Sequence, residues 1–127
     1  MARILLAFFI FMSMHTNTHA QQNDQHRMLR HVVMFGWKEG TDTAVINKVV
    51  TAFRGLPSQI PLIQSFEWGI NNSPENLNRG LTHCFTLGFR SEADRDAYLI
   101  HPAHKVFVAQ LVPVPEKITV FDYWAGQ

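Results

Sequence analysis

Two stretches, Arg30 to Trp37 and Thr82 to Phe89, restrict what this chain can fold into more than any other part of it. Each alternates residue by residue, as a strand does when successive side chains point to opposite faces. His31, Val33, Phe35 and Trp37 share one face of the first stretch, and His83, Phe85, Leu87 and Phe89 share one face of the second. The opposite rows are Val32, Met34 and Gly36, then Cys84, Thr86 and Gly88. A solvent-facing row is usually polar or charged, and these rows are not. The large apolar rows call for helices. The small uncharged rows call for a second cover, which a dimer packed sheet to sheet would supply.

The rest of the chain provides the helices. Val45, Ile46, Val49, Val50, Phe53 and Leu56 recur at helical spacing. Thr41, Asp42 and Thr43 are all good N-cap residues for that helix, and Gly55 offers a stop. Pro57 and Pro61 bracket a short connection, and Ile63 to Ile70 alternates as a strand does. Asn71 to Gly80 is a polar loop. Ser91 to Asp94 resembles a capping box, with Asp in the usual Glu or Gln place, and opens a short helix through Tyr98. Pro102 suits the first turn of another helix, where its missing N–H would have no partner. Ala103, Val106, Phe107, Gln110 and Leu111 fall on one face of it, and Pro113 and Pro115 end it. Ile118 to Trp124 is a last strand. The order is β-α-β-β-α-β with the second helical part broken in two, an α+β, ferredoxin-like arrangement.

Residues 1–20 stand apart from this pattern. Arg3 is followed by the apolar run Ile4 to Met14 and then by Thr18-His19-Ala20 before Gln21. That is the layout of a secretory signal peptide. The run is shorter than the roughly 20 apolar residues that span a bilayer. The expected organisation is a signal peptide over 1–20, a flexible lead-in over 21–29 and one domain over 30–127. Such a protein is secreted or periplasmic and keeps no membrane attachment after cleavage. The formal net charge is +1, and loss of Arg3 leaves the mature chain near neutral. No basic block stands out, so a nucleic-acid partner is not expected. Cys84 is the one cysteine and cannot form a disulfide within the chain; inside a strand it reads as a small buried hydrophobe.

Titratable groups concentrate in Tyr98-Leu99-Ile100-His101-Pro102-Ala103-His104. A neutral His is a suitable base near neutral pH, because its unperturbed pKa is about 6.5. A Tyr hydroxyl can donate a hydrogen bond to a developing oxyanion. His104 as base and Tyr98 as donor therefore form a coherent pair that needs no cofactor. Each group also has a plainer reading. His101 can cap the last helix, His104 can hold that helix in place, and His31 and His83 can be hydrogen-bonded core histidines. Tyr98 can bury its ring and keep its hydroxyl wet. His101 and His104 are three apart, but a zinc site usually takes three or four protein ligands and no Cys or Glu cluster lies nearby. No metal is expected.

His31-Val32-Val33-Met34-Phe35, Phe66-Glu67-Trp68-Gly69, Leu77 through His83, His101-Pro102-Ala103-His104 and Phe121-Asp122-Tyr123 occur in this order and spacing. On these motifs the chain resembles the stress-responsive dimeric α/β-barrel family, Dabb, from about His31 to Trp124. The resemblance implies a ferredoxin-like monomer and a homodimer whose two sheets form a barrel. A plant polyketide cyclase that looks like this domain uses a Tyr and a His in a pocket between helices and sheet. Those two roles fall on Tyr98 and His104, and the further pocket histidines fall on His31 and His83. Phe35 and Phe85, on the same strand faces, are expected to line the pocket. The expected function is an exported stress-response A/B barrel protein that binds a small hydrophobic or aromatic molecule. The alternatives are a cofactor-free cyclase or lyase of polyketide-like substrates and a stress dimer without turnover.

Overall fold

The computed structural model describes residues 27–111 and 115–126. The expected signal peptide and most of the lead-in lie outside the described residues, as does Pro113.

Strand β1 (Leu29–Gly36) leads into helix α1 (Thr43–Arg54) and a single-turn helix α2 (Leu56–Gln59). Strands β2 (Ser65–Ile70) and β3 (His83–Phe89) follow, then helices α3 (Glu92–Ile100) and α4 (Pro102–Ala109), and strand β4 (Lys117–Trp124). The four strands form one sheet in the order β2-β3-β1-β4, and every neighbouring pair is antiparallel. This is the ferredoxin-like α+β fold that the order of elements predicts.

Local signals explain the boundaries. Of the three N-cap candidates for α1, Asp42 does the work: its carboxylate accepts the Ala44 N–H at 2.8 Å. Ser91 caps α3 by accepting the Asp94 N–H at 3.0 Å. Gly55 ends α1 without leaving right-handed backbone (φ −79°, ψ −15°), so the chain re-enters a helical turn at once. Pro57 fits the first turn of α2 because no helical partner awaits its missing N–H. The prolines therefore frame a short helix where the sequence suggested a plain connection. At the far end of β1, Gly36 is required by a close approach: a Cβ there would collide with the carbonyl oxygen of Gly80.

The core lies between the helices and one face of the sheet. Phe35, Phe53, Phe85, Leu87, Phe89, Leu56, Ile60 and Tyr98 are buried there almost completely. Phe53 stacks on Phe85 with ring centroids 4.3 Å apart, and Phe107 lies 4.6 Å from Phe53. The other face is unlike a wetted one. Val32 pairs with Phe121, and Arg30 with Tyr123, across β1 and β4. Phe121 is 62% exposed and Tyr123 43% exposed. Cys84 stands half-buried on this outer row and not in the core, because its neighbours in sequence, His83 and Phe85, take the opposite face.

Candidate functional site

A cavity of about 550 Å³ opens between α3, α4 and the β1–β4 half of the sheet. Its walls are largely apolar, with Val33, Phe35, Phe53, Phe107, Ile118 and Val120 among them. Its polar groups come from His31, Arg95, Asp96, Tyr98, His104 and Asp122.

The break between α3 and α4 sets the position of two of these. His101 takes extended backbone (φ −61°, ψ 138°), and its Nδ1 accepts the Ala103 N–H at 3.1 Å. It is the N-cap of α4, the plainer of the readings open to it. Pro102 starts α4, and His104 follows within the first turn. His104 Nδ1 lies 3.0 Å from the carbonyl oxygen of Leu99. A carbonyl only accepts, so Nδ1 carries the proton and neutral His104 keeps its lone pair on Nε2. Burial lowers the His104 pKa below the usual histidine value; the Leu99 hydrogen bond opposes this, and the nearby His31 and His101 add smaller lowering effects. The ring of Tyr98, on α3, lies 4.4 Å from the His104 ring and 5.8 Å from the His31 ring, measured between centroids. Burial pushes the Tyr98 hydroxyl well above the usual tyrosine range, so it remains a neutral donor.

His31 is 5% exposed near the start of β1. Its register partner on β4 is Asp122. The two side chains meet, with His31 Nδ1 2.7 Å from Asp122 Oδ1. A carboxylate accepts, so His31 also carries its Nδ1 proton toward a partner and presents Nε2 elsewhere. Arg95 of α3 donates through Nη1 to the second oxygen of Asp122 and through Nε to Asp96 at 2.7 Å. Those hydrogen bonds, Asp96 first and Asp122 second, raise the guanidinium pKa.

Of the residues singled out in the sequence, His31, Phe35, Tyr98 and His104 thus meet around one cavity. His83 and Phe85 do not line it. His83 pairs with Phe35 and Ile70, four residues along the sheet from Leu87, the partner of His31. It borders a second cavity of about 500 Å³, beside Met34, Ile70, Leu77 and Arg79. Its Nδ1 accepts the indole N–H of Trp37 at 2.9 Å, and the Thr82 hydroxyl stands at the same distance. Phe85 is fully buried between Phe53 and Trp68. Asp122 and Arg95 were not singled out. The signals were present: Asp122 interrupts the apolar row Ile118, Val120 and Trp124, and Arg95 lies three residues before Tyr98, on the same side of a helix. Among the described residues no three His, Cys, Asp or Glu side chains are grouped as they would be around a metal ion.

The family model for the stress-responsive A/B barrel domain matches residues 29–125. This chain belongs to the stress-responsive A/B barrel family, Dabb. It is 32% identical over 95 residues to the stress-response A/B barrel domain-containing protein HS1 of Arabidopsis thaliana, covering 75% of this chain and 87% of that one. It is 27% identical over 95 residues to olivetolic acid cyclase of Cannabis sativa, covering 75% of this chain and 94% of the cyclase. The structure of hydroxynitrile lyase from Passiflora edulis superposes with a TM-score of 0.73 at 25% identity, over 79% of this chain and 94% of the lyase. A dimeric ferredoxin-like protein of unknown function from Jannaschia sp. CCS1 superposes with a TM-score of 0.66 at 27% identity, over 76% and 97% of the two chains. The Dabb chain therefore shares its fold with proteins described as dimers.

Proposed function

We propose that this Dabb protein binds a small hydrophobic or aromatic molecule with a polar head in the cavity between α3, α4 and the sheet. One observation carries the reading: a half-open, largely apolar cavity of about 550 Å³ is lined by His31, Tyr98 and His104 together. Ligand pockets commonly enclose about 300–1,000 Å³ and pair apolar walls with a few placed polar groups. A fluorescent naphthalene probe titrated into the purified protein tests it. The wild type is expected to bind the probe saturably, and Val120→Trp, which sets a large ring at the cavity wall, to lose most of that binding. Equal binding by both proteins would defeat the proposal.

A second reading is turnover without a cofactor. The neutral His104 offers an Nε2 lone pair one ring away from a neutral phenol donor. His104 would take a proton from a carbon beside a carbonyl, and Tyr98 would donate to the oxygen on which charge develops. The names of two relatives, a cyclase and a lyase, support this class of reaction. Full turnover of a discovered substrate by both His104→Ala and Tyr98→Phe would leave a binding protein or a stress dimer without catalysis.

The working unit on this reading is a homodimer that covers the exposed Phe121 and Tyr123 face, and the mature protein begins near Gln21 after export. Sequencing the N-terminus of exported material tests the second point; an intact Met1 would contradict it.

A further inference from the structure

We propose that Arg95 is a positioning residue that holds His31 in one tautomer and one orientation through Asp122. Asp122 is the single carboxylate in the helix-facing row of β4. Both of its oxygens are engaged, Oδ1 by His31 and Oδ2 by Arg95. Its side chain is 23% exposed and sits on an edge strand. Within the sheet only the His31 bond to Oδ1 restrains that carboxylate, and among the described residues Oδ2 has no partner on a strand. The guanidinium supplies that second restraint: Nη1 donates to Oδ2 while Nε donates to Asp96, so the carboxylate is held at both oxygens, by His31 and by Arg95. A carboxylate held behind a histidine decides which ring nitrogen keeps the proton. Arg95 thereby directs the Nε2 of His31 away from Asp122, and the ring lies 5.8 Å from Tyr98 across the same cavity. The cavity then has two histidines in the same tautomer flanking one phenol. The groups around the His31 ring are Asp122 on β4, Arg95 and Tyr98 on α3, and His104 on α4. Arg95 touches no reacting atom in this scheme; it acts through Asp122.

The inference deepens the binding proposal, in that a fixed His31 matters to a ligand in this cavity. Its test needs no ligand. Proton NMR of the full protein should show a slowly exchanging His31 Nδ1–H resonance, assigned by its absence in His31→Asn. Arg95→Met should speed its exchange by about tenfold, the factor for losing one hydrogen bond of ordinary strength. Arg95→Lys should restore part of the protection. Backbone amide shifts in β3 and α1 should stay at wild-type values, which separates lost positioning from lost structure. If Arg95→Met disturbs those shifts, Arg95→Gln serves in its place. A His31 ring proton that exchanges at the wild-type rate in Arg95→Met or Arg95→Gln overturns the proposal. Failure of the naphthalene titration alone would leave this result standing.

Discussion

Trp37 Nε1 donates a 2.9 Å hydrogen bond to His83 Nδ1. That bond gives His83 the tautomer opposite to that of His104 and His31: its lone pair is used within the fold, and its proton sits on Nε2. The indole and imidazole rings meet nearly perpendicular, with centroids 5.3 Å apart. The Nδ1 of His83 is thus engaged by Trp37, just past the end of β1, and not by a group of the main cavity. Trp37→Phe should cost about 1 kcal/mol of stability, a single hydrogen bond, with Thr82 still beside the imidazole. Naphthalene binding in the main cavity should be unchanged. Urea denaturation and the probe titration read the two outcomes, and loss of probe binding would mean that His83 serves the cavity after all.

Acid should weaken the fold through two histidines. Burial lowers the pKa of both His83 and His104 relative to the unfolded chain. The unfolded state then binds protons first as pH falls, so stability declines below about pH 6.5 and levels off once the folded groups have titrated. The urea midpoint should therefore fall between neutral pH and pH 5. His83→Gln and His104→Gln should each flatten that fall. A midpoint in the wild type that rises on acidification would contradict the sign.

Removing the Tyr98 hydroxyl separates packing from chemistry. Tyr98→Phe keeps the buried ring and its contacts with Phe89 and His104. Its stability should stay within about 1 kcal/mol of the wild type. Turnover of any substrate found should drop by about a hundredfold, the usual effect of losing one oxyanion donor. Steady-state kinetics alongside thermal unfolding check both halves.

The two faces of the sheet should answer differently to truncation. Phe85→Ala empties a fully buried position against Phe53 and should cost about 3–5 kcal/mol. Phe121→Ser acts on an exposed side chain and should spare the fold while weakening self-association. Sedimentation at micromolar concentration should give a dimer for the wild type and a lighter species for Phe121→Ser. A wild-type monomer would remove the case for covering that face.

The strand faces were legible in the sequence because alternation leaves little choice: a one-residue slip would have sent His31, Val33 and Phe35 to the outer side. The helix starts were legible in Asp42, Ser91 and His101 for similar local reasons. Fine placement across the sheet was not. His31 and His83 look equivalent in sequence, each opening a strand, yet antiparallel register sets His31 beside Leu87 and His83 beside Phe35. Only the register separates a cavity histidine from one bonded to Trp37. Asp122 and Arg95 carry only weak signals in the sequence, for another reason. An acidic residue in a strand and a basic one on a helix usually face water, and only the packing of α3 on the sheet, against β1 and β3, lets the long Arg95 side chain reach Asp122.

The edge position of β4 gives the cavity a stability of its own. Ile118, Val120 and Asp122 form its wall, and β4 borders a single neighbour, β1. Most of β4 is exposed, whereas β3 and the aromatic cluster around Phe53 are buried. Segments with few buried contacts open at lower free energy than the core around them. Fraying of β4 alone would take down one wall and free His31 from its partner while leaving β1 paired to β3. Opening of β4 would thus dismantle the site without unfolding the rest of the domain. The β4 amides should exchange with deuterium well before those of β3.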